Sequence, residues 1–203
     1  QEDLRTIATQ LRQSHVGLVF VTGRHFTSVM QAVNNFCLPQ PDWIICDVGT
    51  SIYQRHRQNG PALVPLTPYQ EYLKGITSDL PVKTLRQKLA SIDGTRAQEE
   101  EKQGPFKLSY YADADQLDEI AKTVRERLQD LDAPYSLIKS VDPFTGDGLI
   151  DLLPSGVSKA HALSWWSKFV GLSDRAIVFA GDSGNDLAVL TSGCRAIIVG
   201  NAD

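Results

Sequence analysis

The sequence predicts an α/β fold, a doubly wound parallel sheet core carrying an inserted α+β domain, and three observations predict it. Short apolar runs alternate with helically spaced apolar residues at both ends of the 203 residues, the pattern of a parallel sheet covered by helices. Between Gln54 and Gly148 the texture changes: prolines stand at positions 61, 65, 68 and 81, and polar, alternating segments replace the continuous runs. Two apolar runs end in loops of small, hydroxyl and acidic residues, Thr22-Gly23-Arg24 and Gly181-Asp182-Ser183-Gly184-Asn185-Asp186, at strand ends where such sheets bind ligands. The domains are therefore read as a discontinuous core, residues 1–53 and 149–203, and an insert, residues 54–148.

Each element has its own warrant. Leu4, Ile7, Ala8 and Leu11 follow helical spacing, and Val16–Val21 is an apolar run suited to a buried strand. Phe26, Val29, Met30, Val33 and Cys37 mark the next helix, closed by Pro39 and Pro41, and Trp43–Cys46 is a second buried strand with Asp47-Val48-Gly49-Thr50 as its exit loop. In the insert, Val82, Leu85, Leu89 and Ile92 space a helix with Pro81 in its first turn. Lys107-Leu108-Ser109-Tyr110-Tyr111 alternates as a half-exposed strand whose Lys107, Ser109 and Tyr111 share one face. Leu117, Ile120, Ala121, Val124, Leu128 and Leu131 give the clearest amphipathic helix, and Tyr135–Lys139 reads as a strand. The core returns with Gly148–Pro154, then a helix with Ala162, Trp165, Trp166 and Phe169 inward, a strand Ala176–Ala180 covered on both faces, a helix through Leu187 and Leu190, and a strand Ala196–Val199.

Twenty Lys plus Arg against 24 Asp plus Glu leave a net charge of −4, which argues against a nucleic-acid surface. No apolar run approaches a membrane span, and the first residues carry no secretory pattern. Cys37, Cys46 and Cys194 have no metal-ligand spacing and read as core residues of a reduced, cytoplasmic protein. With Met30 the only methionine and Asp203 directly after an apolar strand, the chain reads as a piece of a longer polypeptide.

Asp182 at a strand end and Asp186 four residues on can point at one cation, and Mg²⁺ wants such hard oxygens and shares them with substrate phosphate. Acids near a helix start are also ordinary turn chemistry, so the stretch Phe179–Asp186 alone divides evenly between site and turn. The Thr22 hydroxyl and the unhindered Gly23 N–H can donate to a phosphate oxygen. Lys159 opens a helix, where the dipole disfavours a cation; this fits a bound anion, and an exposed lysine tolerated there is the alternative.

In their order, the strand with Thr22-Gly23-Arg24, an insert, Lys159 in Gly156-Val157-Ser158-Lys159-Ala160-His161-Ala162-Leu163, and Gly181–Asp186 resemble the haloacid dehalogenase superfamily of phosphohydrolases. The position of the insert is similar to that of the subgroup with a large α/β cap over a Rossmann-like core. Asp47–Tyr53, Phe106–Asp113 and Leu149–Pro154 resemble the sucrose-phosphate phosphatases. The resemblance implies a Mg²⁺-dependent phosphohydrolase of a sugar phosphate, sucrose 6-phosphate first, acting through an aspartyl phosphate. Mannosylfructose-phosphate and glucosylglycerol-phosphate phosphatases, a sugar phosphomutase, and a non-catalytic sugar-phosphate-binding domain fused to or associated with a sucrose-phosphate synthase are the alternatives.

By that resemblance, Asp182 and Asp186 hold the metal; Thr22, Gly23, Lys159 and Asn185 hold the phosphoryl oxygens; Arg24 helps hold substrate or forms a salt bridge. Lys107, Ser109 and Tyr111 are nominated to read the sugar from the cap. The family's Asp-x-Asp motif, nucleophile and general acid/base, is expected before residue 1. No Asp-x-Asp present fits that place, Asp113-Ala114-Asp115 falling in the cap before a helix, so these 203 residues alone are expected not to turn over substrate.

Overall fold

The computed structural model describes residues 2–56, 62–90, 92–142, 145–181 and 186–200. In chain order the elements are α1 (Glu2–Gln13), β1 (Val19–Val21), α2 (Phe26–Asn35), β2 (Trp43–Cys46), β3 (Ser51–Arg55), β4 (Leu63–Pro65), α3 (Thr67–Ile76) and α4 (Val82–Lys88). They continue with β5 (Thr95–Ala97), β6 (Leu108–Ala112), α5 (Leu117–Asp130), β7 (Tyr135–Val141), β8 (Gly148–Pro154), α6 (Lys159–Phe169), β9 (Val178–Gly181), α7 (Leu187–Leu190) and β10 (Arg195–Ile198). Two units result, Gln1–Leu66 with Val157–Asp203, and Thr67–Gly156.

The first unit is the expected α/β body. Its larger sheet has the order β1-β2-β3-β4, with β1 and β2 parallel and β3 and β4 added antiparallel. Ile44, Ile45 and Cys46 are fully buried because β2 is paired on both sides and covered by helices. Against it, α2 packs Val29 and Val33 at helical spacing over Ile44 and Cys46, and Phe26 stacks on Tyr53 with ring centroids 4.0 Å apart. His25 opens α2 by accepting the Ser28 N–H on Nδ1. A separate parallel pair, β9 and β10, completes the unit. Helix α6 packs on both β2, where Trp166 meets Trp43 edge-on at 5.8 Å, and α7.

The second unit is an antiparallel sheet, order β5-β6-β8-β7, with α5 and α4 on one face. Leu108 and Tyr110 of β6, Ile150 and Leu152 of β8 and Tyr135 of β7 face Ile120, Val124 and Leu128 of α5, as the two-residue and 3.6-residue periods require. Tyr135 donates its hydroxyl to Leu80 O at 2.8 Å, so its buried polar end is satisfied.

Several expectations are corrected. The division falls after Leu66 and after Gly156, where residues 53 and 148 were expected. On one side, β3 and β4 extend the core sheet; on the other, β8 is held by β6 and by β7 along all seven of its residues. Its apolar run read as a core strand, whereas Ile150 and Leu152 serve the α5 core and Asp151 points to the other face. Parallel strands were expected in one sheet, and the described strands form two, with β9 exposed at Val178 and Ala180 and buried at Phe179 and Gly181. The strand expected over Val16–Val21 pairs only from Val19. The inward stripe of α6 is Ala162, Leu163 and Trp166, while Phe169 is exposed and stacks on Trp165. Helix α3, with Tyr69 and Leu73 buried one turn apart and Pro68 at its start, is an addition.

Candidate active site

Four backbone segments of the first unit are joined in series, ending at the Lys159–Asp186 contact. The first is the exit of β1. Thr22 accepts the Arg24 N–H on Oγ1 at 3.2 Å, a tight hydroxyl turn that leaves the Thr22 proton free to donate, and Gly23 and Arg24 are exposed. The second is the exit of β2, where Asp47–Gly49 form a 3-10 turn buried at Asp47 and Gly49. The Asp47 N–H donates to Arg24 O at 2.9 Å, so the two exits are stitched together.

Ser158 and Lys159 form the third segment. Ser158 caps α6, accepting the His161 N–H on Oγ at 3.2 Å, and fixes the direction in which Lys159 leaves the helix. Lys159 is 8% exposed, and its Nζ donates to Asp186 Oδ1 at 2.9 Å; Asp186 is 5% exposed. The fourth segment is the exit of β9. A side chain on Gly181 would stand 2.9 Å from Asp186 Oδ2, so this glycine is what lets the carboxylate lie against the strand end.

The arrangement is a buried ammonium beside a buried carboxylate, linked through the Asp47–Gly49 turn to the exit of β1, where Thr22 carries its hydroxyl. Lys159 neutralises one carboxylate charge, and the second Asp186 oxygen is a hard donor of the kind a dication takes. Among the described residues no group of three or more His, Cys, Asp or Glu is arranged to hold a metal. Asp182 and Asn185, the remaining candidates of this loop, lie outside the described residues.

The electrostatics agree with a dry interior behind these loops. Burial, then Cys46 and Asp47, push the Tyr53 phenol up to about 12. Burial, helped by Lys168, holds His161 below its usual value.

The cap candidates lie in the second unit and are less free than a bare polar face. Lys107 is buried, and Ser109 is fully buried with its hydroxyl donating to Asp151 Oδ1 at 2.5 Å. Gln103 braces Ser109 on both backbone groups, accepting its N–H and donating to its carbonyl, each at 2.9 Å. The half-buried Tyr111 accepts from Lys102, donates to Glu99, and carries the Arg96 guanidinium 4.4 Å above its ring. Asp113 spends a side-chain oxygen on the Asp115 N–H at 3.0 Å, a helix-start role.

Sequence reasoning missed Asp151 and the wedge formed by Asp47–Gly49. The signal for Asp151 was a lone charge inside the apolar run Leu149–Leu153. Only three-dimensional contact reveals the wedge.

Comparison with known proteins follows the same lines. The family model for sucrose-6F-phosphate phosphohydrolase matches residues 1–203. A HAD-like hydrolase of Nitrosococcus oceani is 38% identical over 189 residues, 91% of this chain and 49% of that protein, so the chain spans about half of this relative's length. Mannosylfructose-phosphate phosphatase of Agrobacterium fabrum is 29% identical over 91% of this chain and 69% of its own. Among solved structures, the Synechocystis sucrose-phosphatase in complex with sucrose and phosphate shares the fold with a TM-score of 0.75 at 22% identity, covering 100% of this chain and 76% of that one. The chain thus belongs to the sucrose-6F-phosphate phosphohydrolase family of the haloacid dehalogenase superfamily.

Proposed function

We propose that the protein hydrolyses the phosphate monoester of a sugar phosphate, with sucrose 6-phosphate as substrate. The observation that carries this reading is the buried Lys159–Asp186 pair, an anion-binding cation held ready by a carboxylate and linked through the Asp47–Gly49 turn to the exit of β1. The Thr22 hydroxyl, the Gly23 N–H, Lys159 and Asn185 hold the phosphoryl oxygens, and their donors oppose charge as it spreads in the transition state. An aspartate of the Asp-x-Asp motif expected ahead of residue 1 attacks phosphorus, its carboxylate oxygen forming the new P–O bond as the sugar oxygen leaves with a proton from the motif's second aspartate. Water, giving a proton to that second aspartate, then attacks the phosphorus of the aspartyl phosphate, and the P–O bond to the first aspartate breaks to release inorganic phosphate.

Asp182 and Asp186 would hold Mg²⁺, which when bound offsets the charge between carboxylates and phosphate. The buried carboxylate of Asp186 supports that donor set. Arg24, exposed beside the loop, holds the outer part of the substrate. Sugar recognition is assigned to Lys107, Ser109 and Tyr111, with Asp151 as the acceptor that Ser109 orients. Free thiols at Cys37, Cys46 and Cys194 support a reducing, cytoplasmic setting.

The test is phosphate release by the full-length natural protein with Mg²⁺ and sucrose 6-phosphate, mannosylfructose phosphate or glucosylglycerol phosphate. Sucrose 6-phosphate should give the highest kcat/KM, and Lys159→Ala should lower it by about 10- to 100-fold, the worth of a charged hydrogen bond of about 1.5–3 kcal/mol. Binding of the sugar phosphate with no phosphate released would refute the enzymatic reading.

A further inference from the structure

Asp47, Val48 and Gly49 lie in succession in the left-handed region, with φ of 53°, 58° and 100°. Two are not glycine, and a β-branched valine there is a steric outlier that survives only where its surroundings over-determine it. The surroundings are on two sides. On one, the Asp47 N–H is tied to Arg24 O, and a side chain on Gly23 would stand 3.8 Å from Val48 Cγ2. On the other, a Cβ on Gly49 would stand 2.3 Å from Ser158 O, 2.6 Å from its carbonyl carbon and 2.9 Å from Lys159 N. The turn thus lies with its bare backbone on the Ser158–Lys159 peptide, whose carbonyl takes the first helical bond of α6 from the Ala162 N–H at 2.9 Å. Thr50 locks the turn from inside, its N–H and Oγ1 both donating to Asp47 O at 3.1 and 2.9 Å.

We propose that Gly49 and its strained turn are positioning residues: they set the spacing between the Thr22 loop and the root of Lys159, and so determine where the ammonium meets a phosphate oxygen. The inference rests on the reading of Lys159 as a phosphate-binding cation. Any side chain at residue 49 must push the start of α6 away by about 1 Å to bring a 2.3 Å approach to ordinary contact. Misplacement of a binding group by about that distance costs up to about 100-fold. A glycine needed only for packing would let the helix relax outward with the loss of stability alone.

The experiment is a double-mutant cycle in the full-length natural protein, reading the inhibition constant of inorganic phosphate alongside thermal stability. Gly49→Ala should raise that constant by about 10- to 100-fold in the native background and by less than about 3-fold on top of Lys159→Ala, because the effect runs through the lysine. Thr50→Val, which removes the inner latch without a clash, should show the same coupling at a few-fold scale and carries the test if Gly49→Ala does not fold. Equal losses in both backgrounds, or an unchanged constant in a folded Gly49→Ala protein, would overturn the proposal while leaving the phosphate role of Lys159 intact. An unchanged constant for Lys159→Ala itself would overturn both.

Discussion

Replacing Lys159 by methionine should destabilise the first unit far more than replacing Lys159 and Asp186 together. The pair is 2.9 Å apart with side chains 9% and 8% exposed. At that separation and an effective dielectric constant of about 20, the gross attraction is about 6 kcal/mol, offset by several kcal/mol of desolvation for each ion. The intact pair is therefore close to neutral, whereas a single substitution leaves a buried charge with its desolvation cost and costs about 3–5 kcal/mol. Lys159→Met/Asp186→Leu should fall within about 1 kcal/mol of the native protein. Trp43, Trp165 and Trp166 all belong to the first unit, so tryptophan fluorescence in urea follows its unfolding. With a slope of about 2 kcal/mol per molar urea, Lys159→Met should lower the midpoint by about 2 M. A double variant as unstable as the two single losses added together would refute the reasoning.

Ser109→Ala removes the donor to Asp151 inside the second unit and should cost about 1–3 kcal/mol, read as faster amide exchange along β6 and β8; unchanged protection would count against the bond. Burial pushes Tyr53 and Tyr135 up to about 12 and raises Tyr69 and Tyr110 as well, so four phenols should ionise late in an ultraviolet titration. A raised phenol favours the neutral native form: its stabilisation is complete below the ordinary value of 10.0 and is lost as pH rises toward 12, so unfolding should accompany the late ionisation. His161 has the opposite sense. Its native value is depressed, the unfolded chain binds the proton more readily, and stability should fall as pH drops through 6.5; His161→Gln should flatten that slope in urea midpoints.

Periodicity made α2 and α5 legible because each buries one helical stripe, and β2 was legible as a continuous apolar run buried throughout. Pattern failed where an apolar run had two possible partners. The Leu149–Leu153 run suits a core strand as well as an antiparallel centre strand, and only Asp151 distinguishes them. Tyr69 and Leu73 were legible as one helical turn, but the density of prolines around them argued for loop. For the candidate site, residue type and strand-end position nominated Thr22, Lys159 and Asp186, and the structure brings the last two into contact. The wedge at Asp47–Gly49 depends on dihedral angles and on a neighbour more than a hundred positions away, and neither is encoded in local pattern.

That separation has a kinetic side. Residues 67–156 are consecutive and can complete their sheet from local chain, whereas β2 must wait for α6, and Trp43 for Trp166, until everything between has been synthesised. Collapse of the intervening stretch shortens the slack to be closed, and with it the entropic toll of joining distant ends. The later segment of sequence should thus be the earlier to acquire its final form, and the unit that carries Lys159 and Asp186 should be the last to assemble.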